Sequence, residues 1–386
     1  MKIRARDLAV VIVFLGILYA VFFLNLLKPA DELSYSERRK LAQFPELNAE
    51  TILSAEAMEG FDDYAVDQIA FREQWRRLKA RFDLNVWLKT DNNAIFVEGG
   101  QVFKTEYPIR ENSVTRLCGI LNYVNRRYLA GLNVRYALVP DKNYYLPDKS
   151  GHLVLDYQAM SGLIRDNMDA EIKEISLFDA LTADSYYLTD AHWKQETLAP
   201  VVNAVAEGFG SALRFDGNAY TEKTYAPFYG VYYGQSALDV EPDTLTYLVS
   251  GTTENAVVTS IEKPGEVLPV YDESQLGGMD SYNIFLLGPQ AVVRVENPGS
   301  PGGKELIIFR DSYAGSLAPL LLDGYAAVTL IDLRYIRADL VGDYADFSGD
   351  PDVLFLYSAT LFNTSDSVQS PPQEEFVSPF LARSER

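Results

Sequence analysis

Three side chains in this sequence have the types and setting for acyl chemistry. Asp190 and His192 lie two positions apart in Thr189-Asp190-Ala191-His192-Trp193, and Ser312 sits in Phe309-Arg310-Asp311-Ser312-Tyr313. Acyl transfer by serine needs a base for the hydroxyl proton, a carboxylate that holds the base in the right tautomer, and N–H donors for the oxyanion. The 386 residues include only two histidines. His152 falls in Leu146-Pro147-Asp148-Lys149-Ser150-Gly151-His152, a loop-like stretch where solvent exposure is expected. His192 is therefore the candidate base, Asp190 its orienting carboxylate and Ser312 the candidate nucleophile.

Local sequence places these residues on plausible elements. Ser312 follows the apolar run Leu306-Ile307-Ile308-Phe309, which reads as a buried strand, and precedes a helical stretch over 313–322. The carboxyl end of a strand that opens a helix is where open α/β sheets bind ligands, and there the amides of Ser312 and Tyr313 are candidate oxyanion donors. The motif is not the Gly-x-Ser-x-Gly elbow, because Arg310 and Ala314 occupy the glycine positions. Both stretches also fit plainer roles: Asp190 capping a helix that begins near Lys194, with His192 packed at its start, and Ser312 as an N-cap. Spacing alone leaves these alternatives open.

Apolar runs at 95–97, 134–139, 175–178, 284–287, 306–309, 327–331 and 353–357 are expected strands. Helical patterns at 113–129, 156–169, 196–209 and 313–322 alternate with several of them, which predicts an α/β fold with a mostly parallel sheet covered on both faces. Between about 214 and 282 the helical period disappears and Gly, Tyr and Thr accumulate, so a strand-rich insertion is expected. Its aromatics would fill a small core of their own or line a sugar-binding groove. Gly302-Gly303-Lys304 lacks the remaining residues of a phosphate loop and reads as a turn.

Residues 8–27 read LAVVIVFLGILYAVFFLNLL, long enough to cross a bilayer, with Asn25 the polar exception. Lys2, Arg4 and Arg6 precede this span and acidic residues dominate after it, which places the N-terminus in the cytoplasm and the body outside. A cleaved signal peptide is the alternative, although Asn25-Leu26-Leu27-Lys28-Pro29 offers no small-x-small site. The expected organisation is a stub and anchor over 1–28, a linker and helical segment over 29–91, an α/β domain over 92–365 containing the insertion, and a polar tail over 366–386. In the helical segment Asp67 and Arg72 are expected to form a local salt bridge or cap.

A formal charge of −20 and a pI near 4.6 argue against a nucleic-acid partner. The single cysteine, Cys118, allows no intramolecular disulfide and lies at apolar spacing in a helix, so core packing is expected. Carboxylates are plentiful but no spaced histidine cluster exists, so neither a metal site nor a cofactor is expected.

The chain resembles the DHHW family of bacterial proteins, which is similar to the SGNH-hydrolase-like alginate O-acetyltransferases of cell envelopes. The likeness rests on Ser36-Glu37-Arg38-Arg39-Lys40-Leu41-Ala42-Gln43-Phe44-Pro45, the stretch 67–72, Val139-Pro140-Asp141-Lys142, Asp190/His192/Trp193, Phe228-Tyr229-Gly230, Arg310-Asp311-Ser312-Tyr313-Ala314 and Ile331-Asp332-Leu333-Arg334-Tyr335. The resemblance implies an SGNH-like three-layer sandwich with Asp190, His192 and Ser312 as orienter, base and nucleophile. It also implies export and O-acetylation of a cell-envelope polysaccharide, with a membrane-bound O-acyltransferase as a partner that delivers the acyl group. Two departures stand out. Ala191 replaces the first histidine of the name-giving motif, and Leu287-Gly288-Pro289 stands where a Gly-Gly-Asn-like turn is expected, leaving Gly288 as a third oxyanion candidate. The second departure keeps an inactive glycan-binding relative in view.

Overall fold

The computed structural model describes residues 4–147, 150–300 and 302–372. Contacts divide the chain into two compact units, Met1–Asn93 with Tyr233–Asp239, and Ala94–Tyr232 with Val240–Arg386.

The first unit is helical. α1 (Ala5–Leu27) contains the apolar stretch Leu8–Leu27, and none of that stretch is buried by the rest of the chain. It is long and apolar enough to span a membrane. A small ladder of β1 (Leu33–Ser34) and β2 (Arg39–Lys40) precedes α2 (Ala49–Leu53), α3 (Glu56–Asp67) and α4 (Arg72–Asn85). Asn48 starts α2 with a capping box, its side chain accepting from the Glu50 and Thr51 amides. The expected Asp67–Arg72 pair forms at 3.4 Å, but Arg39 is the stronger partner of Asp67, with guanidinium nitrogens 2.7 and 2.5 Å from the two carboxylate oxygens. Arg39 and burial act in opposite senses on that carboxyl, and the arginine wins, holding it at about 2.

The second unit opens with a hairpin, β3 (Ile95–Glu98) and β4 (Gln101–Lys104), and is built on a seven-stranded sheet. Its strands are β5 (Asn133–Val139), β6 (Lys173–Glu174), β9 (Val257–Ser260), β10 (Val292–Glu296), β11 (Glu305–Arg310), β12 (Ala327–Ile331) and β13 (Asp352–Ser358), in the order β6-β5-β13-β11-β12-β10-β9. The first five in that order are mutually parallel, and β10 is antiparallel to both β12 and β9. A separate hairpin joins β7 (Thr221–Phe228) to β8 (Asp243–Val249).

Alternation along the strands sends side chains to two cores. Val134, Tyr136, Ile307, Phe309, Val353 and Phe355 pack under α5 (Glu111–Tyr128) and α6 (Tyr157–Asn167). Ala137, Val139, Leu306, Ile308, Leu354 and Leu356 pack on the other face, under α7 (Ala199–Phe209) and α10 (Ala314–Leu321). Short helices α8 (Val231–Ser236), α9 (Gly251–Asn255) and α11 (Ala359–Asn363) complete the set. Cys118 is wholly buried in the first core, where desolvation pushes its thiol up to about 12 and suits it to packing rather than attack.

Several expected elements differ. The apolar run 284–287 is buried over its first three residues but is no strand: it closes a 3-10 turn and bends through left-handed φ at Leu286 and Leu287. Pairing beside 175–178 is confined to Lys173 and Glu174. β9 falls inside the stretch read as an insertion, yet it forms the edge of the central sheet. Aromatics from that stretch, Phe228, Tyr247 and Tyr282, fill a small core with Tyr187 and Phe285. His152 is half-buried rather than solvated, its ring stacked on Phe96 at 3.5 Å between centroids. Within residues 366–372, Arg116 donates to the Val368 carbonyl and to Ser370 Oγ; the remainder of the expected tail lies outside the described residues.

Candidate active site

Ser312 is the second residue past β11, and α10 begins two residues later. β11 lies between β12 and β13, so the serine turn emerges at the carboxyl ends of the parallel strands. Asp311 fixes this turn. One of its carboxylate oxygens accepts from the Tyr313 amide at 3.1 Å, and the other from the Ser358 amide, at the end of β13, at 2.8 Å. Ser312 itself is half-buried.

The histidine comes from a loop closed like a hairpin: Tyr186 bridges Trp193, and the Tyr187 amide donates to the His192 carbonyl at 3.1 Å. Asp243 pins its crest by accepting from the amides of Leu188 and Thr189. Lys142 holds it from beneath, donating from Nζ to the carbonyls of Tyr187 (3.0 Å), Leu188 (3.1 Å) and Asp190 (2.9 Å). Gly230 fits against the same loop, where a Cβ would fall 2.3 Å from the Cβ of Asp190 and 2.4 Å from the Thr189 carbonyl oxygen. Only glycine permits that approach, which accounts for the end of Phe228-Tyr229-Gly230.

The three candidate catalytic side chains form one chain of hydrogen bonds. Asp190 Oδ1 lies 2.6 Å from His192 Nδ1, and His192 Nε2 lies 2.7 Å from Ser312 Oγ. Asp190 is fully buried, and its Oδ2 accepts from the Val231 amide at 2.8 Å. Those contacts leave Nδ1 as donor to the carboxylate and Nε2 as acceptor for the serine proton. Neither capping alternative holds. α7 starts at Ala199 with no side-chain cap, well past Asp190, and Tyr313 rather than Ser312 occupies the N-cap of α10.

Direct contacts staple the loop to the serine turn. Trp193 donates from its indole to the Tyr313 carbonyl (3.2 Å) and to Ser316 Oγ (2.9 Å), and Gln195 donates to the Ser316 carbonyl (2.7 Å). The Tyr313 hydroxyl donates to the Ala191 carbonyl at 2.7 Å, a bond that any residue at 191 supplies from its backbone. Tyr282 lies flat on His192, ring centroids 3.9 Å apart and 10° from parallel, and its hydroxyl pairs with Ser316 Oγ at 2.9 Å. Composition gave no sign of Tyr282, one of 25 tyrosines, or of Asp243, 54 residues from its partner Thr189.

Of the three oxyanion candidates, two have their amides committed elsewhere. Tyr313 donates to Asp311, and Gly288 donates to the Phe285 carbonyl at 3.1 Å. The Ser312 amide alone has no partner among the described residues. The turn at 288 is anchored by buried Arg310, which donates to the carbonyls of Gly288 (3.0 Å) and Gln290 (3.4 Å). An asparagine does reach this turn: a Cβ at Gly288 would fall 2.2 Å from Asn283 Oδ1, so the Asn283 amide packs directly on it.

No protein-family model matches the sequence, and no curated protein matches it. Among solved structures, a DHHW family protein from Eubacterium siraeum DSM 15702 superposes with a TM-score of 0.59 at 20% identity, over 72% of this chain and 94% of that one. Bacillus cereus PatB1 gives a TM-score of 0.56 at 17% identity, over 70% of this chain and 98% of that one. PatB1 with a sulfonyl adduct gives 0.54 at 17% identity, over 70% and 97%. The chain therefore has the fold shared by this DHHW family protein and PatB1.

Proposed function

We propose that the protein is a membrane-anchored, extracytoplasmic serine acyltransferase or esterase of SGNH-like architecture, acting on O-acetyl groups of a cell-envelope polysaccharide. The observation that carries this reading is the continuous Asp190–His192–Ser312 relay, with bonds of 2.6 and 2.7 Å. Ser312 Oγ attacks the acyl carbonyl carbon while its proton passes to His192 Nε2, and the buried Asp190 carboxylate stabilises the imidazolium. The Ser312 amide donates to the oxyanion. Collapse of the tetrahedral species expels the donor alcohol, which takes the proton from His192. A glycan hydroxyl, or water in the esterase case, then gives its proton to His192 and attacks the acyl-serine, releasing Oγ. The apolar α1 and the resemblance to envelope O-acetyltransferases support this setting, in which a membrane-bound O-acyltransferase would deliver the acyl group.

A non-catalytic glycan-binding role on the same fold is the second reading. It is favoured by the commitment of the Gly288 and Tyr313 amides, which leaves one oxyanion donor of the three.

The deciding experiment is turnover of 4-nitrophenyl acetate by the purified full chain, with and without an oligosaccharide acceptor, alongside labelling by a sulfonyl fluoride. Ser312→Ala should lose roughly 10⁴-fold or more in kcat and all labelling, with unchanged melting. Equal turnover by Ser312→Ala would sink the enzymatic reading, and absence of both turnover and labelling in the unmodified chain would favour glycan binding.

A further inference from the structure

Helix α4 is inside out. Phe71, at its N-cap, Trp75, Leu78, Phe82 and Val86, at its C-cap, follow steps of four, three, four and four residues, which keeps them on one side. A helix packed in a soluble domain would bury that stripe. Here the residues are 57, 48, 54, 44 and 56% exposed, and the helix buries Ala80 and Asp83 instead. Trp87 and Leu88 extend the stripe past the C-terminus, with Trp87 edge-on to Phe82 at 5.3 Å. Lys79 and Lys89, both paired with the one carboxylate of Asp83, and Arg81, paired with Asp239, flank it with more than half of each side chain exposed. In a chain of net charge −20, α4 carries five basic residues against two acidic ones.

The start of α4 is tied to the end of α1. Asn25, in the last turn of α1, accepts from the Ala70 amide at 2.5 Å. Asp31, just beyond α1, exchanges two bonds of 2.8 Å with Gln68. Leu8–Leu27 spans about 30 Å as a helix, the thickness of a hydrocarbon core, so Asn25 falls at its edge. A cleft of ≈ 680 Å³ at this junction is lined by Leu24, Lys28, Ile69, Phe71, Arg72 and Arg77 among others, a mixture of apolar and cationic groups.

We propose that the outward face of α4 lies in the headgroup region of the bilayer spanned by α1, docking the first unit onto the membrane surface. The proposal rests on α1 being a retained anchor. Trp75 and Trp87 are the aromatic type that concentrates at this depth, and Phe82 and Leu78 are the apolar types that such a helix buries at the headgroup boundary. Lysine and arginine on the flanks extend to lipid phosphates while their stems cover apolar surface. The local positive charge lets this acidic chain approach an anionic leaflet along one helix.

The test uses the full chain reconstituted in phosphatidylcholine/phosphatidylglycerol vesicles whose acyl chains carry bromine at shallow or deep positions. Trp87→Phe leaves Trp75 as reporter beside core-buried Trp193, and Trp75→Phe/Trp87→Phe leaves Trp193 alone as an internal control. Trp75 emission should fall by roughly twofold with shallow bromines and less with deep ones, as befits burial by about 5–10 Å, while the control stays constant. Leu78→Glu/Phe82→Glu added to Trp87→Phe should relieve the quenching without releasing the protein from vesicles. Protein that floats with the vesicles but shows unquenched Trp75 overturns the docking proposal alone, and concentration-dependent cross-linking would then assign the face to a second copy. Protein that fails to float overturns the anchor reading and the proposal with it.

Discussion

The imidazole of His192 lies flat against Tyr282, centroids 3.9 Å apart, while the Tyr282 hydroxyl reaches Ser316 on α10. One side chain thus sets the plane of the candidate base relative to the helix that follows the serine. Burial raises the phenol pKa far above its ordinary range, so the hydroxyl stays protonated at physiological pH. Stacking of this kind is worth about 0.5–1.5 kcal/mol beyond area burial. Tyr282→Leu should therefore lower kcat for acetyl-ester turnover by about tenfold with a smaller change in KM. Tyr282→Phe keeps the stack and should lose far less. Steady-state kinetics on the two variants check this, and equal losses would show that the hydroxyl rather than the ring matters.

The candidate nucleophile, base and carboxylate stood out because rare residue types met recognisable local patterns: one of only two histidines beside an aspartate, and a serine between an apolar strand and an apolar helix. Only part of what holds them was legible: Lys142, Trp193 and Gly230 lay in motifs that stood out, whereas other supports did not. Asp243 and Tyr282 act across 54 and 90 residues of chain on Thr189 and His192, and nothing near either residue marks the contact. Strand assignment failed where apolarity and backbone shape part company. Residues 284–286 are apolar and buried, with Leu287 packed partly against the same core, yet the chain there turns through Leu286 and Leu287 to carry Gly288 to Arg310. β9 pairs along only four residues and was hidden in a stretch dominated by turn-forming and aromatic residues.

Lys142 is the support most open to test. Its ammonium is buried between the rings of Phe103 and Tyr232, 5.4 and 5.2 Å from their centroids. Three carbonyl acceptors match its three N–H bonds. Burial pushes its pKa down to about 7, while Asp190, Asp243 and Asp141 act to raise it. Lys142→Met would leave the buried carbonyls of Tyr187 and Asp190 without their donor, at a cost of about 1–3 kcal/mol each, while the Leu188 carbonyl keeps the Val102 amide at 2.8 Å. The variant should melt several degrees lower, and at temperatures where circular dichroism shows it folded, kcat should fall by at least roughly tenfold with KM less affected. Full kcat in the folded variant would show that Lys142 supports the fold but not the loop geometry.

Its neighbour Asp141 gives the fold a pH dependence. Burial raises this carboxyl from 3.8 to about 6, against the opposing bonds from the Tyr157 hydroxyl and the Asn143 amide. Its Oδ2 is buried with no hydrogen-bond partner among the described residues, the environment of a carboxyl that favours its neutral form. Between about pH 4 and 6 the folded protein holds a proton that the unfolded chain has released. This contribution to stability is complete below 3.8 and is lost as pH rises through 6, so the stability of the wild type relative to Asp141→Asn should decline by roughly 3 kcal/mol between pH 4 and 7. Asparagine keeps the Oδ1 acceptor for Tyr157 and Asn143 but cannot titrate. Parallel thermal melts of both proteins across this range measure the difference, and curves that run parallel at all pH values would show that Asp141 is ionised in the folded state throughout.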